Sequence, residues 1–130
     1  MYLPTIINAK PVSRYLIGNY LAVVLTDCES EGLISYQYAV IVYQMPADAA
    51  KGEQPVPMMA VAAEQSDALQ DKNSFFLGVF PGDGHMNMGS SPDWGDLTKF
   101  TNKALEVIGN HLNVSQPPFL IPEDGGGRPN

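Results

Sequence analysis

The chain has 130 residues, 45% of them hydrophobic, with 7 basic against 14 acidic side chains and a net charge of −7. That length predicts a single domain whose core hides roughly two thirds of the unfolded chain's surface, so stability needs no cofactor, metal or disulfide. Its bases, Lys10, Arg14, Lys51, Lys72, Lys99, Lys103 and Arg128, are scattered. This argues against binding of nucleic acid or anionic membrane and favours a protein partner with a basic surface.

Cys28 is the only cysteine, so an intramolecular disulfide and every Cys-rich metal site are excluded. No stretch approaches the roughly 18 apolar residues of a membrane span. The segment nearest to a signal peptide, Tyr15 to Leu25, is interrupted by Gly18-Asn19 and lacks a small-residue cleavage site. These features predict a cytoplasmic protein. No basic residue near Cys28 in sequence lowers its pKa, so it reads as an inert thiol beside a turn.

In chain order, Ser13–Ile17 and Tyr20–Asp27 are β-rich runs split by Gly18-Asn19, the pair a tight hairpin uses. A polar turn, Cys28 to Gly32, leads to a long strand from Ile34 to Met45. Strict alternation there puts Ile34, Tyr36, Tyr38, Val40 and Val42 on one face, with Ala39, Ile41 and Tyr43 ending the other. Residues 46–55 mix Pro, Gly, Ala and charge and read as an exposed loop. The next strand, Pro57–Gln65, carries small side chains that let another element approach closely. A polar link with a helical turn near Asp67–Leu69 precedes Ser74–Phe80, where the mid-strand Gly78 signals a bulge or a close backbone contact.

Pro81-Gly82-Asp83-Gly84 must turn, and His85–Met88 alternates as a short sixth strand. Ser91 followed by Pro92 reads as a helix cap and first helical residue, with the helix reaching Leu112. Trp94, Leu97, Phe100, Ala104, Leu105, Val107, Ile108 and Leu112 fall in one arc of about 160°, an amphipathic helix packed on a sheet; His111 falls in the same arc. Residues 1–114 form the predicted domain. Residues 115–130 are a Pro/Gly-rich tail with a disordered end, in which the apolar Phe119-Leu120-Ile121 docks extended on the body.

The predicted architecture is α+β, an antiparallel meander of five to six strands with one long C-terminal helix. Five strands at about 4.8 Å make a sheet nearly 20 Å across, whereas a helix covers about 10 Å. The helix cannot shield such a sheet alone. Of the remedies, a curled sheet, an open groove or a second chain, the apolar end at Ile41 and Tyr43 favours the last, a homodimer.

The chemical motifs are incomplete. Asp27-x-Glu29-x-Glu31-Gly32 imitates a calcium loop, but its twelfth position is Tyr38 rather than a glutamate. Gly82-Asp83-Gly84-His85 has Asn87 where the third glycine of a phosphate loop belongs, and Gly89-Ser90-Ser91-Pro92-Asp93 lacks the final glycine of a nucleophile elbow. Asp83 and His85 are the candidates for an acid and base pair. His85 and His111 have no metal-ligand spacing. Met86, Met88 and Trp94, with His85, form the candidate ligand or partner patch, because adaptable apolar residues collect there in one connection.

The leading expectation is a non-catalytic protein-binding module, in the manner of an adaptor, secretion chaperone or inhibitor, without cofactor or metal. The rival is a small ligand-binding domain or enzyme with a pocket between sheet and helix, using Asp83 and His85.

Overall fold

The computed structural model describes residues 4, 6–30, 35–44, 56–65, 74–82 and 84–122. Seven strands form one antiparallel sheet: β1 (Ile6–Ile17), β2 (Tyr20–Ser30), β3 (Ser35–Gln44), β4 (Val56–Gln65), β5 (Phe75–Phe80), β6 (Met86–Ser91) and β7 (Phe119–Leu120). Their order is β6-β5-β4-β3-β2-β1-β7, a six-strand meander whose open side is met by β7 after the helix α1 (Leu97–Leu112). The α+β reading therefore holds with seven strands instead of five to six. The added strand is the Phe119 segment, which pairs Leu120 with Tyr15 and Phe119 with Leu16.

Where the predicted boundaries move, local geometry explains the shift. Gly18 at φ +59° and Asn19 make the expected two-residue hairpin, with Ile17 opposite Tyr20. β1 begins at Ile6 rather than Ser13. Three register shifts against β2 absorb its irregular polar and apolar pattern, and Pro11 is tolerated on a strand so near the sheet's edge. β2 runs through Cys28–Ser30, where a turn is predicted. Asp27 takes φ +52° and the strand resumes beyond it, with Asn8 Nδ2 donating to Glu29 Oε1 at 3.0 Å.

In β3 the pairing steps from Tyr36↔Glu64 to Tyr38↔Ala63, so Gln37 is an extra residue. This bulge rotates Tyr36 off the Tyr38–Val40–Val42 face. It is buried instead with Ala39, Ala60, Ala62 and Phe80. The predicted single face from Tyr36 to Val42 is thus broken at Gln37.

The helix start is also displaced. Ser91 does cap, accepting from Asp93 N–H at 3.1 Å, but it caps a 3-10 turn over Pro92–Gly95. The backbone then extends at Asp96 (φ −102°, ψ 121°), whose carboxylate accepts from Lys99 N–H at 3.0 Å and opens α1. Asn113 ends the helix in the left-handed region. His111, expected within the apolar arc, is exposed.

Two apolar clusters lie on opposite faces of the sheet. On the helix side Phe100, Ala104, Leu105 and Ile108 press on Val24, Val40, Val42, Val61, Leu77 and Val79. Tyr38 packs its ring 5.8 Å from that of Phe100 and donates its hydroxyl to the Gly95 carbonyl. The helix-free face carries Tyr36, Ala39, Ala60, Ala62 and Phe80, with Ile6, Leu25, Cys28 and Ile41 packed against them. The expected loop at 46–55, the helical turn at Asp67–Leu69, and Asp83 lie outside the described residues. No helix among the described residues is long and apolar enough to cross a membrane.

Candidate functional site

The helix-free face holds two features: a buried carboxylate–imidazole pair at one end and an apolar concavity at the other. The pair begins with β4, where alternation after Ala60 and Ala62 delivers Glu64 to the same face. Glu64 is 2% exposed. Space for it comes from Gly78 on β5, where an added Cβ would stand 2.4 Å from the Glu64 carboxyl carbon and 2.6 Å from each oxygen. The mid-strand glycine thus marks the expected close contact, but with a side chain rather than with backbone.

His85 closes the pair. Its Nε2 lies 3.0 Å from both Glu64 oxygens; the hydrogen bond runs to Oε1, and Oε2 has no hydrogen-bond partner among the described residues. The imidazole stacks on Phe80 with centroids 4.4 Å apart and planes at 7°. Removal from water drives the Glu64 carboxyl above its ordinary range, and the charge and hydrogen bond of His85 pull it partly back. An ionised carboxylate only accepts, so Nε2 must then carry the proton; once the carboxyl is protonated the same contact holds with the roles reversed.

The structure divides the residues expected to work together. Met86 pairs with Val79 on the helix side, and Trp94 packs into the helix-side core, whereas His85 stacks on Phe80 on the other face. Met86 and Met88 are half exposed, at 50% and 52%. The sheet itself separates His85 from Met86 and Trp94, because successive strand residues point to opposite faces. Asp83 lies outside the described residues, so the pairing of His85 is the one with Glu64. Glu64 was not foreseen. The signal available for it was a carboxylate placed two residues beyond Ala62 on an otherwise apolar face, with a glycine in the next strand.

The apolar concavity contains the other predicted pair. Ile41 and Tyr43 line a hollow of about 410 Å³ with Pro4, Ile6, Ile7, Asn8, Ala9, Leu25 and Pro57. The first residues of β1 reach across the helix-free face, as the register shifts allow, and the hollow lies beneath them. Among the described residues its lining carries no charged side chain, although the chain as a whole carries −7. Beyond it the pairing register places Phe119, Leu16, Leu21, Tyr43 and Pro57 side by side across five strands. Ile7, Leu16 and Phe119 are exposed there, at 62%, 37% and 59%.

Cys28 is half buried and its thiol is pushed up to about 11 by burial first and by Asp27 second, which leaves it a poor nucleophile. No group of three or more metal-ligating side chains occurs among the described residues. Comparison with protein-family models, with curated proteins and with solved structures finds no match.

Proposed function

We propose that this chain is a non-catalytic protein-binding module that works as a homodimer through its helix-free sheet face. One observation carries the reading: the concavity containing Ile41 and Tyr43 is lined mainly by apolar side chains, with Asn8 and Tyr43 as its polar members and no charged side chain among the described residues. An uncharged patch on a chain of net charge −7 is where two copies meet with least mutual repulsion. Apolar residues as exposed as Ile7 and Leu16 gain by being covered.

The Glu64–His85 pair supports a structural rather than a catalytic role. The carboxylate is sealed at 2% exposure, and the imidazole atom facing it is already engaged. The binding of a further protein, one with a basic surface, fits the remaining acidic surface.

Native mass spectrometry of the full chain tests the proposal. The expected result is a dimer, with Ile7→Lys monomeric at the same concentration and unchanged in melting temperature. A wild-type monomer overturns it. So does a retained small molecule that is lost in His85→Ala, which would establish the ligand-binding alternative.

A further inference from the structure

Among the described residues the outer edge of β1 is only partly used. Of its twelve residues, Tyr15 and Leu16 pair with β7, and Ile121 N–H donates to the Arg14 carbonyl at 2.9 Å. Upstream of these contacts a hollow of about 240 Å³ continues along the edge, lined by Pro11, Val12, Ser13 and Arg14 with Leu120 and Ile121. β7 is two residues long, and its side chains gain little cover there: Phe119 stays 59% exposed and Leu120 53%. An apolar strand held by a few backbone hydrogen bonds, with both residues more than half exposed, is a weakly retained edge.

The connection to β7 is suited to leaving. It starts at the left-handed Asn113 and reaches Phe119 through Pro117 and Pro118. Two prolines fix φ and push the preceding residue toward extended backbone, so the link behaves as a semi-rigid spacer. Release of β7 costs its few contacts, and an identical edge on a second copy restores every one of them. Phe119 also continues the row Leu16–Leu21–Tyr43, of which Leu16 is exposed, so a tail carried over from a neighbour enters the same face on which the proposed dimer forms.

We infer that the Phe119–Leu120 strand is exchanged between two copies of this chain, each tail pairing with the β1 edge of the other. The inference rests on the self-association proposed above. It adds which segment crosses and where it lands. In the exchanged dimer the backbone pairing is that of β7 on β1. Exchange restores the contacts of Phe119 and Leu120 on an identical edge and joins the two bodies through their tails.

A disulfide trap on the full chain tests this. Leu16→Cys is placed in one copy and Phe119→Cys in a second, differently tagged copy; these positions face each other across the strand pair and are both partly exposed. The two are co-produced and mildly oxidised at pH 8, where Cys28 remains a thiol. The expected product is a covalent dimer containing both tags. If native mass spectrometry shows a dimer while the mixed copies form no such disulfide, and a chain carrying both substitutions closes only on itself, exchange is overturned and self-association stands. If the chain is monomeric, both fail. Phe119→Asp avoids cysteine altogether: it is expected to weaken the dimer about tenfold or more without lowering the monomer's melting temperature. Unchanged dimer affinity in that variant overturns the exchange.

Discussion

At Glu64 the sheet has accommodated a carboxylate by giving up a side chain at the diagonal position on the next strand, Gly78, which pairs with Ala62. The accommodation at Gly78 leaves no room for a Cβ, so Gly78→Ala forces the carboxylate off His85. The cost is expected at about 1–3 kcal/mol, the range for overpacking a tight site. Chemical denaturation measures it, and the double variant Gly78→Ala/Glu64→Ala should recover part of the loss, because the two positions share one space. Additive losses would mean that Gly78 is required for its backbone rather than for the room it leaves.

The same residue links stability to pH. Burial raises the folded-state affinity of Glu64 for its proton above that of the unfolded chain. Folded protein therefore binds the proton more tightly. This contribution is full below the ordinary glutamate range and is lost as pH rises through the elevated folded value. The melting temperature of the wild type should fall over that window relative to Glu64→Gln, which keeps the shape but does not titrate. Parallel profiles for the two proteins would remove Glu64 as the cause.

Among the elements, the helix shows how one short stretch carries two starts. Ser91 and Pro92 have the chemistry of a helix N-terminus, and they form one, but only for a 3-10 turn. Asp96 begins again because its extended backbone lets the carboxylate reach Lys99 N–H. Asp96→Ala should destabilise the protein by about 1 kcal/mol, as loss of a capping side chain does, in thermal or denaturant unfolding. The apolar arc from Leu97 to Leu112 was legible because helical spacing needs only the local sequence. Tyr36 was not, because a one-residue bulge at Gln37 reverses the alternation and is set by pairing with Glu64 and Ala63 on another strand.

The edge strand β6 shows another arrangement that alternation alone does not reveal. Gly89 takes φ +99° at the register shift between β5 and β6, and its N–H is taken by Asn87 Oδ1 at 2.8 Å. That consumes a backbone donor and twists the strand, both of which hinder pairing with another chain despite the exposure of Met86 and Met88. The opposite edge, β1 with its short β7, has no such device at Tyr15 and Leu16.

For the whole molecule, charge and apolar surface make opposing demands. Two copies of a chain at −7 repel at long range, while the uncharged hollow at Ile41 and Tyr43 attracts at contact. Salt screens the first and leaves the second. The proposed dimer should therefore tighten as ionic strength rises from about 0.02 to about 0.5 M, where the Debye length contracts from tens of ångströms to a few. Sedimentation equilibrium reads this directly. A complex with a basic partner protein would weaken over the same range, so the sign of the salt effect separates the two kinds of contact.

By itself the sequence determined what depends on neighbours along the chain: the Gly18-Asn19 hairpin, the alternating strands, the one-sided helix, the solitary thiol and the acidic balance. It also marked Gly78 as a place of close approach and Ile41 with Tyr43 as an apolar end. Tertiary structure alone decided what approaches Gly78, since Glu64 and His85 reach it from different strands and connections. It likewise divided Met86 and Trp94 from His85 by a sheet, and carried Phe119 back to β1. Strand alternation and helical period are properties of a few consecutive residues, whereas cross-strand register is set only when distant segments pair, and one inserted residue then turns a side chain to the other face.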